Sequence, residues 1–306
     1  MIHRLEFTGS ELLPYVNWIY FFHAWGMPPR FASIAQTHDC PACKRSWMNR
    51  FAPDEQTQAR EALQLYEDAS EIIRQRGHDL KAYALFGIFP AWSENDNVVV
   101  QTSDGHTMTF PFLRQQTSRH HPFLCWADFI APPSSGAHHP RGTSMGVFAT
   151  TTDDPTEPSS TDDYEQLLSQ TIADRIAEAA AERMHELVRQ HYWGYAPHEQ
   201  CTISELFAEK YEGRRPAVGY PSIPDLSMNF LIDECIGLDK IGIRLTENGM
   251  MHPHASVSGF LFDHPASRHF AIGSIGSDQL TDYAQRRNMS IDDMKKFLAK
   301  NVVTQK

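Results

Sequence analysis

The chain has 306 residues, 41% of them apolar and 21% charged, a balance that fits a globular protein with a substantial core. Its formal charge of −11, with no run of Lys and Arg, repels phosphate backbones and speaks against nucleic acid as a partner. Apolar stretches such as Tyr83–Ala91 fall short of the ~20 residues of a membrane span, and Met1–Phe7 lacks a signal-peptide pattern, so a cytoplasmic protein without a membrane partner is expected.

Along the chain, the first notable feature is Cys40-Pro-Ala-Cys43 with His38 beside it. Half of a zinc knuckle has this form, yet a closed structural site needs four ligands and no second pair follows. Lys44-Arg45 next to it would lower a thiol pKa, as in a redox pair. Exposed thiols are the first reading, incidental metal binding the second and redox chemistry the third; no metal site is assigned. Five cysteines make no disulfide framework, and Cys125, Cys201 and Cys235 read as reduced packing residues.

Gln56–Arg76 is predicted to be a helix, with Ala62, Leu65, Ala69, Ile72 and Ile73 on one face. Lys81–Pro90 and Met145–Thr150 read as buried strands. Asn97–Thr102 and His106–Phe112 flank Ser103-Asp104-Gly105 and predict a hairpin. His120-His121 and His138-His139 read as solvated loop residues. Thr150–Asp163, rich in Pro, Ser, Thr and Asp, reads as an exposed loop that need not divide domains. From Tyr164 to Tyr192 apolar residues recur every three or four positions, predicting one helix of roughly 40 Å. Ala255–Asp263 and His269–Ile275 resemble a second hairpin. Asp278–Leu298 reads as helix, interrupted at Asn288, with Ser290 and Asp293 placed to cap the second piece. Helices and strands are segregated, which indicates an α+β fold.

Common catalytic signatures are missing: there is no Gly-x4-Gly-Lys loop, no Gly-x-Ser-x-Gly elbow and no His-Glu-x-x-His. The informative segment is Glu209–Pro221 (EKYEGRRPAVGYP), whose Gly and Pro content makes a rigid turn with exposed amides and carbonyls. Arg215 offers a planar fork for a carboxylate, Tyr220 an aromatic face, and Glu209 a charge complementary to an ammonium or sulfonium. The plainer alternative is a surface loop holding an Arg–Glu pair.

Arg215-Pro-Ala-Val-Gly-Tyr-Pro221 resembles the Arg-Pro-Ala-Pro-Gly-Tyr-Pro stretch of the activation domain of cobalamin-dependent methionine synthase. Val16-Asn-Trp-Ile-Tyr-Phe-Phe22, Gly87-Ile-Phe-Pro-Ala91, Leu113-Arg-Gln-Gln-Thr117 and Ala127-Asp-Phe-Ile-Ala-Pro132 also resemble that family. So do Asp174-Arg-Ile-Ala-Glu178, Tyr192-Trp-Gly-Tyr-Ala-Pro197, Leu245-Thr-Glu247, Ala255-Ser-Val-Ser-Gly259, His264-Pro265, Asp278-Gln279 and Asp282-Tyr-Ala284. These blocks follow the family's order across residues 10–301. The resemblance implies a single α+β domain over residues 1–306, C-shaped, with a twisted antiparallel sheet and long packing helices. It also implies a role in repair: cobalamin oxidised to cob(II)alamin is restored with one electron from a flavodoxin-type donor and a methyl group from S-adenosylmethionine.

The implied cofactor is therefore S-adenosylmethionine, with cobalamin carried by a partner, the cobalamin-binding module of a methionine synthase. Such chemistry asks for orientation and no general base, so no catalytic residue is assigned. By resemblance, Arg215 holds the donor's carboxylate, Ala217 and Gly219 give backbone contacts around the adenosyl group, and Tyr220 lines the groove. Glu178 and Glu209 supply negative potential near amine and sulfonium, an exposed helix charge being the other reading of Glu178. Asn17 stands where the family has Asp, and His269 and Phe270 replace two tyrosines. In Pro224-Asp225-Leu226-Ser227, Leu226 stands where the family has His, Met251-His-Pro-His254 differs from the family's turn, and the Cys40–Cys43 region resembles an insertion. Unsatisfied, three altered contacts would weaken donor binding by about one to several kcal/mol.

A chain of this length has no room for the other synthase modules, so action on a separate synthase is expected, as a methyltransferase component unable to make methionine alone. The alternative is a docking or capping protein for a corrinoid protein, with S-adenosylmethionine binding lost or weakened. A stand-alone methyltransferase is the third reading, without a doubly wound nucleotide fold to support it.

Overall fold

Two apolar runs, 81–90 and 145–150, lie side by side at the middle of the protein and organise everything else. The computed structural model describes residues 1–77, 79–117, 121–133, 142–153 and 162–303. In chain order, β1 (Ile2–Thr8) leads through α1 (Gly9–Leu12) into α2 (Trp18–Ala24), α3 (Pro41–Met48) and α4 (Gln56–Gln75). Strands β2 (Lys81–Glu94), β3 (Asn97–Gln101), β4 (Thr107–Pro111) and β5 (Ser144–Thr152) follow. Then come α5 (Asp163–Leu187), α6 (Ile203–Phe207), α7 (Met228–Ile236), the short pair β6 (Arg244–Leu245) and β7 (Met251–His252), and β8 (Ser256–Leu261). Helices α8 (Ser277–Arg286) and α9 (Ile291–Phe297) close the chain.

The main sheet has six strands in the order β4-β3-β2-β5-β8, with β1 also on β2, and every ladder is antiparallel. Strand β2 is long enough to serve two partners: its residues 81–87 pair with β1 and its residues 91–94 with β3. Both faces are covered. Ala82, Ala84, Phe86, Phe148, Val257 and Leu261 pack with α4 and α5, while Leu85, Phe89, Val147, Ala149 and Phe260 pack with Trp126 and α7. Burial on both faces removes the polar half of the usual alternation, which is why these strands read as continuous apolar runs. The fold is α+β with an open antiparallel sheet. Among the described residues no helix is long and apolar enough to cross a membrane.

Helix α5 runs 25 residues, roughly 37 Å, and starts where the Asp162 side chain accepts from the Tyr164 amide at 2.8 Å. Ala173, Ala177, Ala180 and Ala181 are buried, and their small side chains let the helix sit close to the sheet. Thr150 Oγ1 donates to the Ala177 carbonyl at 2.9 Å across this contact. The predicted helix continued to Tyr192, but after Leu187 the chain widens into a π turn over Val188–Tyr192. The hairpin of β3 and β4 forms as expected, with Gly105 at φ +86 in its turn. The C-terminal interruption also holds: Ser290 caps α9, accepting from the Asp293 amide at 3.0 Å.

Two expectations are corrected. Thr150, Thr151 and Thr152 belong to β5 and are buried, because threonine is a good strand former and the Thr150 and Thr151 hydroxyls find partners here. Asp162 and Asp163, also expected in that loop, cap and begin α5, and residues 154–161 lie outside the described residues, as do His120 and the pair 138–139. The hairpin of 255–263 with 269–275 does not form, because the edge of β8 away from β5 is taken by residues 214–218. Residues 269–275 run past it instead, the Ile272 amide donating to the Pro221 carbonyl at 2.9 Å and the Ile275 amide to Asn301 at 2.8 Å.

Candidate ligand-binding groove

Residues 214–218 act as an extra strand on β8. The Arg214 and Phe262 backbones exchange hydrogen bonds at 2.8 and 2.9 Å, Phe260 N–H donates to Pro216 at 3.0 Å, and Val218 N–H donates to Ser258 at 2.9 Å. Close approach is possible because Gly259 has no side chain: a Cβ there would lie 2.1 Å from the Pro216 carbonyl oxygen. The chain then turns at Gly219, whose φ of +86 suits glycine and whose amide donates to Ile223 at 2.8 Å.

This edge faces α5. Arg215 Nη2 donates to Glu182 Oε2 at 3.0 Å, with both side chains only 12% exposed. The Tyr220 hydroxyl donates to Glu178 Oε1 at 2.5 Å. Glu178 and Glu182 stand four residues apart and therefore on one helical face. Arg215 Nε and Glu182 Oε1 are buried and have no protein hydrogen-bond partner, so the pair retains polar capacity. His185, one turn on, is fully buried against Tyr211, with ring centroids 5.2 Å apart and neither ring nitrogen partnered. Burial, followed by the charges of Arg189, Arg215, Arg214 and His269, holds its pKa well below the usual histidine value, so it is neutral.

Across from α5, His269 Nε2 lies 3.2 Å from Glu209 Oε1, and Arg214 Nε lies 3.4 Å from Glu209 Oε2. The hydrogen bond from His269 is the main influence that lowers the Glu209 carboxyl pKa. Asn17 caps α2, its side-chain oxygen accepting from the Ile19 amide at 3.1 Å. Phe270 packs on Trp126 at 5.0 Å between ring centroids.

These segments enclose a groove of about 710 Å³. Asn17, Glu178, Glu209, Arg215, Ala217, Tyr220, His269 and Phe270 line it, whereas Gly219 shapes its turn without lining it. Sequence reasoning missed Glu182, Arg175, Tyr15, Tyr20, His23 and Tyr211, which also line it. Glu182 had one signal: it follows Glu178 by a helical turn, ahead of an arginine-led loop. The surface Arg–Glu pair of the plainer reading exists in altered form, buried and between Arg215 and α5. Cys40, Cys43 and His38 take no part in the lining. Cys125 and Cys235 are buried, Cys201 is half-exposed, and all are free thiols.

A groove of opposite charges and aromatic rings, built on a sheet edge and one helix, has the make-up of a small-molecule site in an α+β domain. Residues 9–288 match the family model for the vitamin B12 dependent methionine synthase activation domain, and the chain belongs to that family. It is similar to a crystal structure of the MetH reactivation domain bound to AdoHcy: 32% identity, 100% of this chain and 91% of that chain covered, TM-score 0.84.

Proposed function

We propose that the groove binds S-adenosylmethionine and that the domain supports reductive methylation of cob(II)alamin held by the cobalamin-binding module of a methionine synthase. The observation carrying this reading is the buried Arg215–Glu182 pair with unused polar atoms, in a chain similar to a domain bound to AdoHcy. The donor brings an already activated methyl on sulfonium, and what the protein adds is to hold it in line with a reduced corrinoid. Arg215 takes the carboxylate, and the backbone at Ala217 and Gly219 borders the adenosyl group. Tyr220 and Phe270 flank it, while Asn17, Glu178 and Glu209 face the amine and sulfonium, with His269 exchanging its Glu209 contact for one to the ligand. The cobalamin is presented by a partner module, a flavodoxin-type protein supplies the electron, and the setting is the cytoplasm.

A second reading, a capping domain with weakened donor binding, has one observation in its favour: Arg215 and Glu209 already hold protein partners, Glu182 and His269. Titration calorimetry with S-adenosylmethionine and S-adenosylhomocysteine separates the two. Saturable binding of one ligand per chain supports the first reading. Absence of heat at millimolar donor, with a cobalamin module present, overturns it and leaves the capping role.

A further inference from the structure

Away from the groove, one cluster of side chains has the make-up of a metal centre. Ligand atoms of His38, Cys40 and Cys43 all lie within 4.8 Å of one another, and among the described residues no fourth His, Cys, Asp or Glu joins them. The cluster is held by its backbone. The Cys40 amide donates to the His38 carbonyl at 2.8 Å, turning the imidazole back over the thiols. Cys40 caps α3, its Sγ accepting from the Cys43 amide at 3.3 Å, and Pro41 stands in the first turn. Helix α3 is itself anchored, with Trp47 buried against Phe31 and Phe51 and its Nε1 donating to Ser33 at 2.9 Å. The adjacent cation does not compete for the thiols, since Lys44 Nζ is held by Asp39 at 2.5 Å and Glu67 at 2.6 Å.

We propose that His38, Cys40 and Cys43 bind Zn(II) through two thiolates and one imidazole, leaving the fourth tetrahedral position to water. Sulfur and imidazole ligands select this ion over Mg(II) and Ca(II), which prefer oxygen. Zn–S bonds of ~2.3 Å at tetrahedral angles set ligand atoms about 3.8 Å apart, so a small side-chain rotation completes the geometry. Binding displaces the thiol protons to solvent and changes no oxidation state. A redox disulfide would use the two cysteines alone; the converging imidazole is what favours a metal. The bound ion would fasten the 38–43 turn onto the start of α3.

The test uses the full chain, metal-stripped and thiol-reduced, titrated with Co(II) and then with Zn(II). One Co(II) per chain is expected, with a thiolate-to-metal charge-transfer band and intense tetrahedral ligand-field bands, both abolished by stoichiometric Zn(II). Cys40→Ser and Cys43→Ser should each weaken Zn(II) binding by about a hundredfold, and His38→Ala by at least about tenfold, judged against the tenfold-to-hundredfold losses typical even of supporting groups. Ser retains helix-capping ability at position 40, so that variant should stay folded by circular dichroism. Cys201→Ser, which alters another partly exposed thiol, should leave affinity unchanged. Absence of the charge-transfer band overturns the proposal, as does a band of unchanged intensity and affinity in Cys40→Ser or one that disappears with Cys201→Ser. Preferential formation of a 40–43 disulfide in the presence of excess Zn(II) overturns it in favour of a redox pair.

Discussion

Replacing Arg215 by Met should separate the arginine's structural role from its ligand-binding role. Arg215 and Glu182 lie 3.0 Å apart with 12% of each side chain exposed. At that distance and an effective dielectric of about 20, their attraction is roughly 5.5 kcal/mol before desolvation is counted. Methionine retains most of the volume but loses the guanidinium that stands 5.8 Å from the Phe148 ring centroid, and it leaves the Glu182 carboxylate buried without its cation. Breaking a buried pair in this way costs about 3–5 kcal/mol. The double variant Glu182→Gln, Arg215→Met removes both charges together and should regain most of that loss, since neutral replacement of a buried pair is often tolerated. Donor binding should not return, because the charge-assisted grip on the carboxylate, about 1.5–3 kcal/mol or roughly 10- to 150-fold in affinity, is absent in both variants. Urea unfolding gives the stabilities and calorimetry with S-adenosylmethionine gives the affinities. Wild-type stability in the single variant, or wild-type affinity in the double, would refute this account.

Three further outcomes follow from the same geometry. Gly259→Ala places a methyl 2.1 Å from the Pro216 carbonyl, so residues 214–218 must move off β8; the expected cost is about 1–3 kcal/mol by denaturation, together with at least about tenfold weaker donor binding. His185 stays neutral in the fold and its pKa lies well below the usual value, so below pH ~6.5 the unfolded chain takes up a proton that the folded chain refuses. Stability should therefore fall with acidification by up to about 1.4 kcal/mol per pH unit from this group, and urea midpoints between pH 6.5 and 5 should lose that component in His185→Leu. Asn17→Asp keeps the α2 cap, because Asp and Asn cap equally well, but adds a charge facing the donor's amine. Affinity should rise roughly fivefold, about 1 kcal/mol, and the gain should shrink with added salt; an unchanged titration curve would remove Asn17 from the groove's ligand set.

What was legible in the sequence was what is decided locally. The three-and-four spacing of α5, the Gly105 turn between β3 and β4 and the Ser290 cap depend on neighbouring residues, and each took the predicted form. Residues 269–275 misled because their strand-like composition says nothing about which segment reaches the edge of β8 first. That competition is settled by Gly259, whose missing side chain admits Pro216. Glu182 misled in the opposite sense. Its charge and off-stripe position imply solvent, and only the arrival of Arg215 from 33 residues later makes burial tolerable. The Cys40–Cys43 spacing was visible, but the inward turn of His38 was not, because it depends on a backbone hydrogen bond closing over two residues. The resemblance to a known family pointed to eight residues that line the groove and to Gly219, which does not; the structure added Glu182 and Arg175 and the partners these side chains already hold.

Those partners bear on how the groove treats charge. Its lining carries three carboxylates, Glu178, Glu182 and Glu209, against two guanidiniums, Arg175 and Arg215. Counting these five side chains alone the balance is one negative charge, in a site where Arg215 and Glu182 are only 12% exposed and so weakly screened by salt. A ligand with carboxylate, ammonium and sulfonium has one positive charge and compensates that excess, whereas the thioether left after methyl transfer does not. Under the proposed donor binding this excess favours the charged donor over its neutral product; Glu178 is engaged by the Tyr220 hydroxyl, and Glu209 by the His269 ring and by Arg214 at 3.4 Å. Product release would then be aided by the same charges that are proposed to capture the donor.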